Sequence, residues 1–390
     1  QESFKASEER QHQLIRFFQR VNLALPFEGN SMKIFQDGSS MLQALLATIN
    51  SAKHHIHVEF YIFEDDAVGC LVKDALIEKA REGVEIRVLY DDVGCWKVPH
   101  RFYDEMREAG IEVRGFLKVR FPRFTSKVNY RNHRKLVFID GRIGFIGGMN
   151  LAERYLKGVP WGIWKDIMMQ VEGKAVYGLQ MTFLTDWYAT DHSLITSSSY
   201  FPQMEDKGTS LMQVVTSDPV GEWKDIMQGL LIAITSAQKY VYIQSPYLLP
   251  TEPILLALKT AAAAGVDVRI MIPEKSDSRM VHWGTMSYLQ ELMEAGIKIY
   301  MYQKGFLHSK LIVCDDCLSS VGSTNMDFRS FEHNFEINAF MYDKTSALML
   351  KDIFLSDQKD AKLLHLKEWR MRPWSQKVKE SVIRLFAPLL

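Results

Sequence analysis

Disulfides, membrane spans and excess charge are what this chain of 390 residues has little of. Four cysteines (Cys70, Cys95, Cys314 and Cys317) do not make a disulfide framework at this length. Cys314-Asp-Asp-Cys317 is a lone C-x-x-C, and a zinc ribbon would need a second pair. Two partly buried thiols in a reducing compartment is the plainer reading. No apolar run reaches the ~18 residues that span a bilayer. The first residue is Gln1 rather than Met, so truncation or processing, with an anchor upstream, fits the sequence as well as peripheral membrane binding does. Net charge is missing too: 47 Lys and Arg balance 47 Asp and Glu, so any electrostatic recognition has to be local. What is there is an ordinary globular composition, 47% apolar and 24% charged, enough for two domains or one duplicated unit.

The chain is written twice. Asn132-His133-Arg134-Lys135-Leu136-Val137-Phe138-Ile139-Asp140 is matched by Leu307-His308-Ser309-Lys310-Leu311-Ile312-Val313-Cys314-Asp315. Gly147-Gly148-Met149-Asn150 is matched by Gly322-Ser323-Thr324-Asn325, and the interval from His to Asn is 17 residues in both copies. Upstream, Gly83 to Leu89 parallels Gly265 to Met271, and Ala109 to Val113 parallels Ala295 to Ile299. Residues 69–82 and 252–264 read as helices ending at a Gly before a β-branched strand. The pattern predicts an α/β fold of two pseudo-symmetric halves. Each is a mixed or largely parallel sheet flanked by helices, and the active site lies at the seam. The expected divisions are a helical segment at 1–30, a first half at 31–200 and a second at 201–390. Thr196-Ser197-Ser198-Ser199 and Pro202 interrupt the pattern between the halves.

Two His-x-Lys-x4-Asp motifs carry the chemistry. In a strand, residues two apart share a face, so His133 with Lys135 and His308 with Lys310 would project together. Two imidazoles, two ammoniums and two amides, Asn150 and Asn325, suit a phosphodiester. Cations and amides stabilise its non-bridging oxygens, one imidazole attacks phosphorus, and the other handles the proton of the alcohol. Small residues at Gly147-Gly148 and Gly322-Ser323 would let the backbone approach a phosphate. Asp140 and Asp315 complete the motifs and stand with the catalytic set, although pinning the loop after the strand is the stronger reading of their role. Each histidine needs an acceptor on its second nitrogen, and Asp166 and Glu336 are the candidates. His54, His55 and His57 with Glu59 could form a metal site, but a half-buried strand is preferred. Glu59 and its counterpart Gln244 then support the seam, and no metal or other cofactor is expected.

These residues resemble the phospholipase D superfamily, and more narrowly the bacterial cardiolipin synthases, from about residue 31 to the end. The narrower likeness rests on His54 to Phe63, Asn132 to Asp140 with Gly147-Gly148-x-Asn150, Leu179-Gln180 with Asp186-Trp187, Gly305 to Lys310, Val321 to Phe331 through Asn334 to Ala339, and the ending from Arg372-Pro373-Trp374. The resemblance implies transfer of a phosphatidyl group from one phosphatidylglycerol to a histidine and then to a second phosphatidylglycerol, with glycerol released. It implies His133 as nucleophile, His308 as acid/base, and carboxylates exchanged between halves, so that Glu336 serves His133 and Asp166 serves His308. It also implies a location at the bacterial cell membrane, on its cytoplasmic face or peripheral. Many members of the family begin with transmembrane helices, and this sequence shows none.

Eight Lys/Arg and no Asp/Glu lie between Arg114 and Lys135, interleaved with aromatics. Arg120, Phe121, Arg123 and Phe124 are therefore expected to contact an anionic membrane surface, with a solvated basic loop as the plain alternative and a single-stranded nucleic acid as a further one. Stripes at Leu14, Phe17, Phe18 and Val21, and at Val378, Val382, Leu385, Phe386 and Leu389, read first as packed helices and second as interfacial ones. Three other functions stay open. A phospholipid hydrolase would differ only in the acceptor that reaches the phosphohistidine. A nuclease would need a longer basic groove, so no nucleic-acid partner is expected. A non-catalytic lipid-binding scaffold would be favoured by a missing motif residue. Oligomeric state is not legible.

Overall fold

The computed structural model describes residues 2–116 and 130–387. Its strands, in chain order, are β1 (Phe27–Phe35), β2 (His55–Phe60), β3 (Glu85–Asp91), β4 (Glu112–Phe116), β5 (Arg131–Asn132), β6 (Lys135–Ile139), β7 (Ile143–Gly147), β8 (Ile163–Lys165) and β9 (Met168–Glu172). There follow β10 (Ser210–Ser217), β11 (Tyr240–Gln244), β12 (Leu248–Leu249), β13 (Asp267–Pro273), β14 (Lys298–Tyr302), β15 (Gly305–Leu307), β16 (Leu311–Cys314), β17 (Leu318–Gly322), β18 (Met326–Asp327), β19 (Asn334–Met341) and β20 (Ala361–Leu363).

One sheet runs through both halves, in the order β20-β14-β13-β11-β16-β17-β19-β10-β1-β9-β7-β6-β2-β3-β4. Outward from the antiparallel β1–β10 joint the two halves read alike. In each, three parallel strands (β2-β3-β4 and β11-β13-β14) adjoin an antiparallel ladder that contains the motif strand, β6 or β16. The parallel parts need crossover helices. Ala67–Arg81 and Glu252–Ala263 supply them, ending at Gly83 and Gly265, whose φ of +92° to +95° only glycine adopts freely. Asp66 starts the first of these helices by accepting from the amides of Val68 and Gly69.

Helices cover both faces of the sheet, as a sheet buried on two sides requires. Val176–Asp191 and Lys344–Gln358 bury Val176, Phe183, Trp187, Leu350 and Phe354 between the halves. The N-terminal helix Glu2–Val21 packs on the second half, with Leu14 and Phe18 buried among Ile226 and Leu230. Among the described residues no helix is long and apolar enough to cross a membrane.

Candidate active site

The halves exchange short strands, and this exchange builds the site. β5 pairs in parallel with the start of β19, and the His133 amide continues the ladder to the Phe335 carbonyl at 2.9 Å. β8 pairs in parallel with β15, and the His308 amide reaches the Lys165 carbonyl at 2.7 Å. Each motif histidine is thereby set beside the carboxylate that ends the partner segment. His133 Nδ1 lies 2.9 and 3.1 Å from the two oxygens of Glu336. His308 Nδ1 lies 2.6 Å from Asp166 Oδ2. Both histidines sit just before their strands rather than within them, because Lys135 is the first residue of β6 and Lys310 precedes β16. The expected common face is instead produced by each lysine folding back, so that its Nζ donates to the carbonyl of its own motif histidine.

The electrostatics follow from burial. Desolvation lowers His133 to about 4 against the raising influence of Glu336, and lowers His308 to about 3 with help from the Lys310 charge. Burial also lowers both lysines, Lys135 the more strongly. Burial would raise Glu336, but the charges of His133 and Lys135 and hydrogen bonds from His133 and Ser323 outweigh it and hold the carboxyl below its ordinary range. Glu336 also accepts from Asn334 Nδ2 at 3.0 Å. Each imidazole therefore donates from Nδ1 and is neutral, with Nε2 as its basic nitrogen. Among the described residues none hydrogen-bonds His133 Nε2, whereas Lys310 Nζ stands 2.8 Å from His308 Nδ1 and 3.3 Å from its Nε2.

Both imidazoles line one cavity of about 410 Å³. Its wall includes Tyr61, Arg131, Arg154, Tyr155, Trp164 and Arg329, none of which the motif singles out. Tyr61 packs edge-on against His133 at 5.1 Å, and Trp164 lies 5.2 Å from His308. The legible signal was position. Tyr61 and Tyr247 both follow within three residues of Glu59 and Gln244, at equivalent strand ends, and both line the cavity.

Asn150 and Asn325 are on the cavity wall. The Asn150 amide is already engaged, accepting from the Ile62 amide and donating to Tyr155 Oη at 2.9 Å. Asn325 keeps a buried Oδ1 without a partner among the described residues. Glu59 accepts from Asn132 Nδ2 at 2.6 Å, directly before His133. Burial first, and Asp186 second, push its carboxyl well up. Gln244 accepts from Ser309 Oγ at 2.6 Å and donates to Asp357 at 2.9 Å. Beneath each motif thus sits an equivalent pair, Glu59 with Asp186 and Gln244 with Asp357, reached by the middle motif residue Arg134 or Ser309.

Several expectations change. Asp140 and Asp315 do not line the cavity with the histidines, in keeping with the loop-pinning reading rather than the catalytic one. At the far ends of β6 and β16, with φ of +55° and +54°, they accept from the amides of 53–55 and 238–240. The glycine positions serve packing rather than a phosphate: a Cβ on Gly148 would lie 2.3 Å from Asp166 Oδ1, and one on Gly147 2.4 Å from the Ile167 carbonyl. At the place of Gly148 the second half has Ser323, which donates to Glu336. The histidine strand is fully rather than half buried. His55 and His57 bracket Gln180, and His57 stacks on Phe183. Among the described residues no group of three His, Cys, Asp or Glu side chains could hold a metal. Arg120, Phe121, Arg123 and Phe124 lie outside the described residues.

Comparison with known proteins agrees with this layout. The family described as "Cardiolipin synthase, PLD-like domain" matches residues 45–187 and 230–358, one block in each half. The major cardiolipin synthase ClsA of Bacillus subtilis is 42% identical over 372 residues, covering 95% of this chain and 77% of that protein. A cardiolipin synthase of Geobacillus kaustophilus is 40% identical over 383 residues, covering 97% and 76%. Among solved structures, phosphatidylserine synthase of Haemophilus influenzae superposes with a TM-score of 0.72 at 16% identity, over 97% of this chain and all of that one. Polyphosphate kinase of Porphyromonas gingivalis reaches 0.57 at 13% identity, over 93% of this chain and 53% of that one, a likeness of fold. A duplicated sheet, two motif histidines at its seam and this degree of identity over nearly the whole length lead to one statement: the chain belongs to the cardiolipin synthase family of phospholipase D-like proteins.

Proposed function

We propose that this protein is a phosphatidyltransferase that makes cardiolipin and glycerol from two molecules of phosphatidylglycerol. His133 Nε2 attacks the phosphorus of the first lipid while Nδ1–H stays on Glu336. The phosphorus–oxygen bond to glycerol breaks, and His308 gives that oxygen its proton. His308 then takes the proton from the glycerol hydroxyl of a second phosphatidylglycerol, whose oxygen displaces His133 from phosphorus. Both histidines end as they began, and the sequence of steps uses no cofactor. The anionic phosphodiester, arriving beside His308, offsets the burial that otherwise keeps this imidazole neutral. The Asn325 amide on the cavity wall faces the non-bridging oxygens as charge builds on them, Lys135 and Lys310 lend positive charge from behind the histidines whose carbonyls they hold, and Asn150 acts with Tyr155. Arg131, Arg154 and Arg329 on the wall give a second anionic headgroup a place to dock.

The observation that carries this reading is the exchange of carboxylates, Glu336 onto His133 and Asp166 onto His308, across one cavity. Its substrates place the protein at a bacterial membrane, with anionic lipid as its partner. The test is product analysis on phosphatidylglycerol vesicles with the parent chain, His133→Ala and His308→Ala. Cardiolipin plus glycerol from the parent, lost in both variants, is expected. Phosphatidic acid alone would make water the acceptor and overturn the transfer step.

A further inference from the structure

The helix Trp374–Arg384 is amphipathic in the inverted sense. A helix packed on a water-soluble domain buries its apolar stripe and exposes its charges. Here the buried residue of the helix is Glu380, which accepts from Arg372 at 2.7 Å and from Gln376 at 3.0 Å. Arg384 also turns inward, bonding Glu291 at 2.8 Å and lying 4.2 Å from the Tyr288 ring. The apolar stripe faces out, with Trp374 78%, Val378 38%, Val382 48%, Leu385 80% and Phe386 47% exposed. Their spacing of three and four places them on one side of the helix. An apolar face of this kind, without a partner among the described residues, marks an interaction surface.

Charge selects the occupant. From Lys362 to Arg384 there are seven Lys/Arg against Glu368 and Glu380, and Glu380 is already neutralised by Arg372. A second copy of the same face would bring these cations together, whereas an anionic bilayer accepts both the cations and the apolar stripe. Position agrees. The helix packs on Arg279–Glu294, whose Val281 lines the catalytic cavity, while the neighbouring Trp283 ring lies under Lys379. On the other half, exposed Trp96 follows Cys95, whose Sγ donates to the carbonyl of cavity residue Tyr61.

We propose that residues 374–386 are an interfacial anchor. The helix lies flat in the headgroup layer of an anionic bilayer, with its apolar stripe at the acyl boundary, and sets the mouth of the cavity against the lipid surface. The use of this docking rests on the lipid-transfer reading, but docking itself can be read without turnover. The test is sedimentation of the full chain with vesicles of equimolar phosphatidylglycerol and phosphatidylcholine, comparing the parent with Val378→Asp/Val382→Asp. The expected result is a loss of vesicle binding of about tenfold or more, with the melting curve and the turnover of a dispersed short-chain phosphatidylglycerol unchanged. Hydrogen exchange on the parent gives a second readout that no misfolded variant can confuse, and residues 374–386 should gain protection when vesicles are added. Equal binding by parent and variant, or no added protection, overturns the proposal. So does a parent dimer that the variant converts to monomer, which would make the face a self-interface. A parent without turnover of the dispersed lipid would count against lipid transfer and leave the vesicle result to decide the anchor.

Discussion

Replacing Glu336 by Gln removes one buried charge and almost nothing else. Glu336 Oε1 receives Asn334 Nδ2 and, at 2.9 Å, His133 Nδ1, while Oε2 receives the Ser323 hydroxyl and lies 3.1 Å from the same His133 nitrogen. An amide nitrogen at the Oε1 place would face two donors. At the Oε2 place it faces a hydroxyl, which can turn to accept. The glutamine therefore settles with its oxygen toward His133, and the imidazole keeps its orientation and its tautomer. What is lost is the negative charge opposite a ring that becomes cationic as Nε2 bonds to phosphorus. Breaking a buried pair of this kind costs about 3–5 kcal/mol, which corresponds to a fall in kcat of roughly 10²–10⁴. Glu336 raises the pKa of His133, so its removal leaves the ring neutral at every working pH, and the loss should not depend on pH between about 5 and 8. Initial rates of cardiolipin formation across that range measure this directly. A variant within about tenfold of the parent would refute the argument that the carboxylate charge supports attack.

Asp140→Ala deprives three backbone amides of their acceptor, and should lower stability by about 2–4 kcal/mol in denaturant titrations while leaving kcat of the folded fraction unchanged. Gly148→Ala drives a methyl into Asp166, so the carboxylate leaves His308. Here kcat should fall by about tenfold or more with little change in KM or melting temperature. Arg134→Met leaves Asp186 buried beside Glu59 without its cation, a loss of about 3–5 kcal/mol that Asp186→Leu in the same chain should largely restore, as read by calorimetry. Acid-free trapping followed by peptide mass spectrometry should find the phosphatidyl group on His133 in the His308→Ala variant, and a label on His308 in His133→Ala would reverse the assignment.

The repeat made the architecture readable. Once His133 to Asn150 is laid over His308 to Asn325, two equivalent halves and a seam follow, because equal spacing in equal elements places equal side chains. That the two motif histidines would meet at one cavity was legible for the same reason. What escaped depends on contacts between segments far apart in sequence. Nothing local says that Gly148 is small because Asp166 lies against it, or that Asp140 turns its carboxylate to the amides of 53–55. The strand rule assigned each His and Lys to a common strand face, whereas pairing across the seam draws both histidines out of their strands. Periodicity found the apolar stripe of the C-terminal helix. Which way the stripe points was decided by Arg372, Glu291 and Tyr288, which hold the charged side inward.

Near-symmetry of the site bears on the different work proposed for two copies of one motif. The imidazole–carboxylate pairs are repeated, but their supports are not. Glu336 is held by Ser323 and Asn334, while Asp166 is held by the Ile167 amide and has Gly148 where Ser323 would be. After burial, the strongest influence on His133 is the Glu336 carboxylate, which favours positive charge, and on His308 it is the Lys310 ammonium, which opposes it. Lys310 also stands beside the ring nitrogens of His308. The Glu336 carboxylate thus favours positive charge on His133, whose Nε2 has no hydrogen-bond partner among the described residues, and this supports its proposed role in attack on phosphorus. His308, with an ammonium at its edge, releases a proton more readily, which is what a departing alkoxide needs. The proposed division of labour needs only the neighbours of the duplicated residues, and no difference between the motifs themselves.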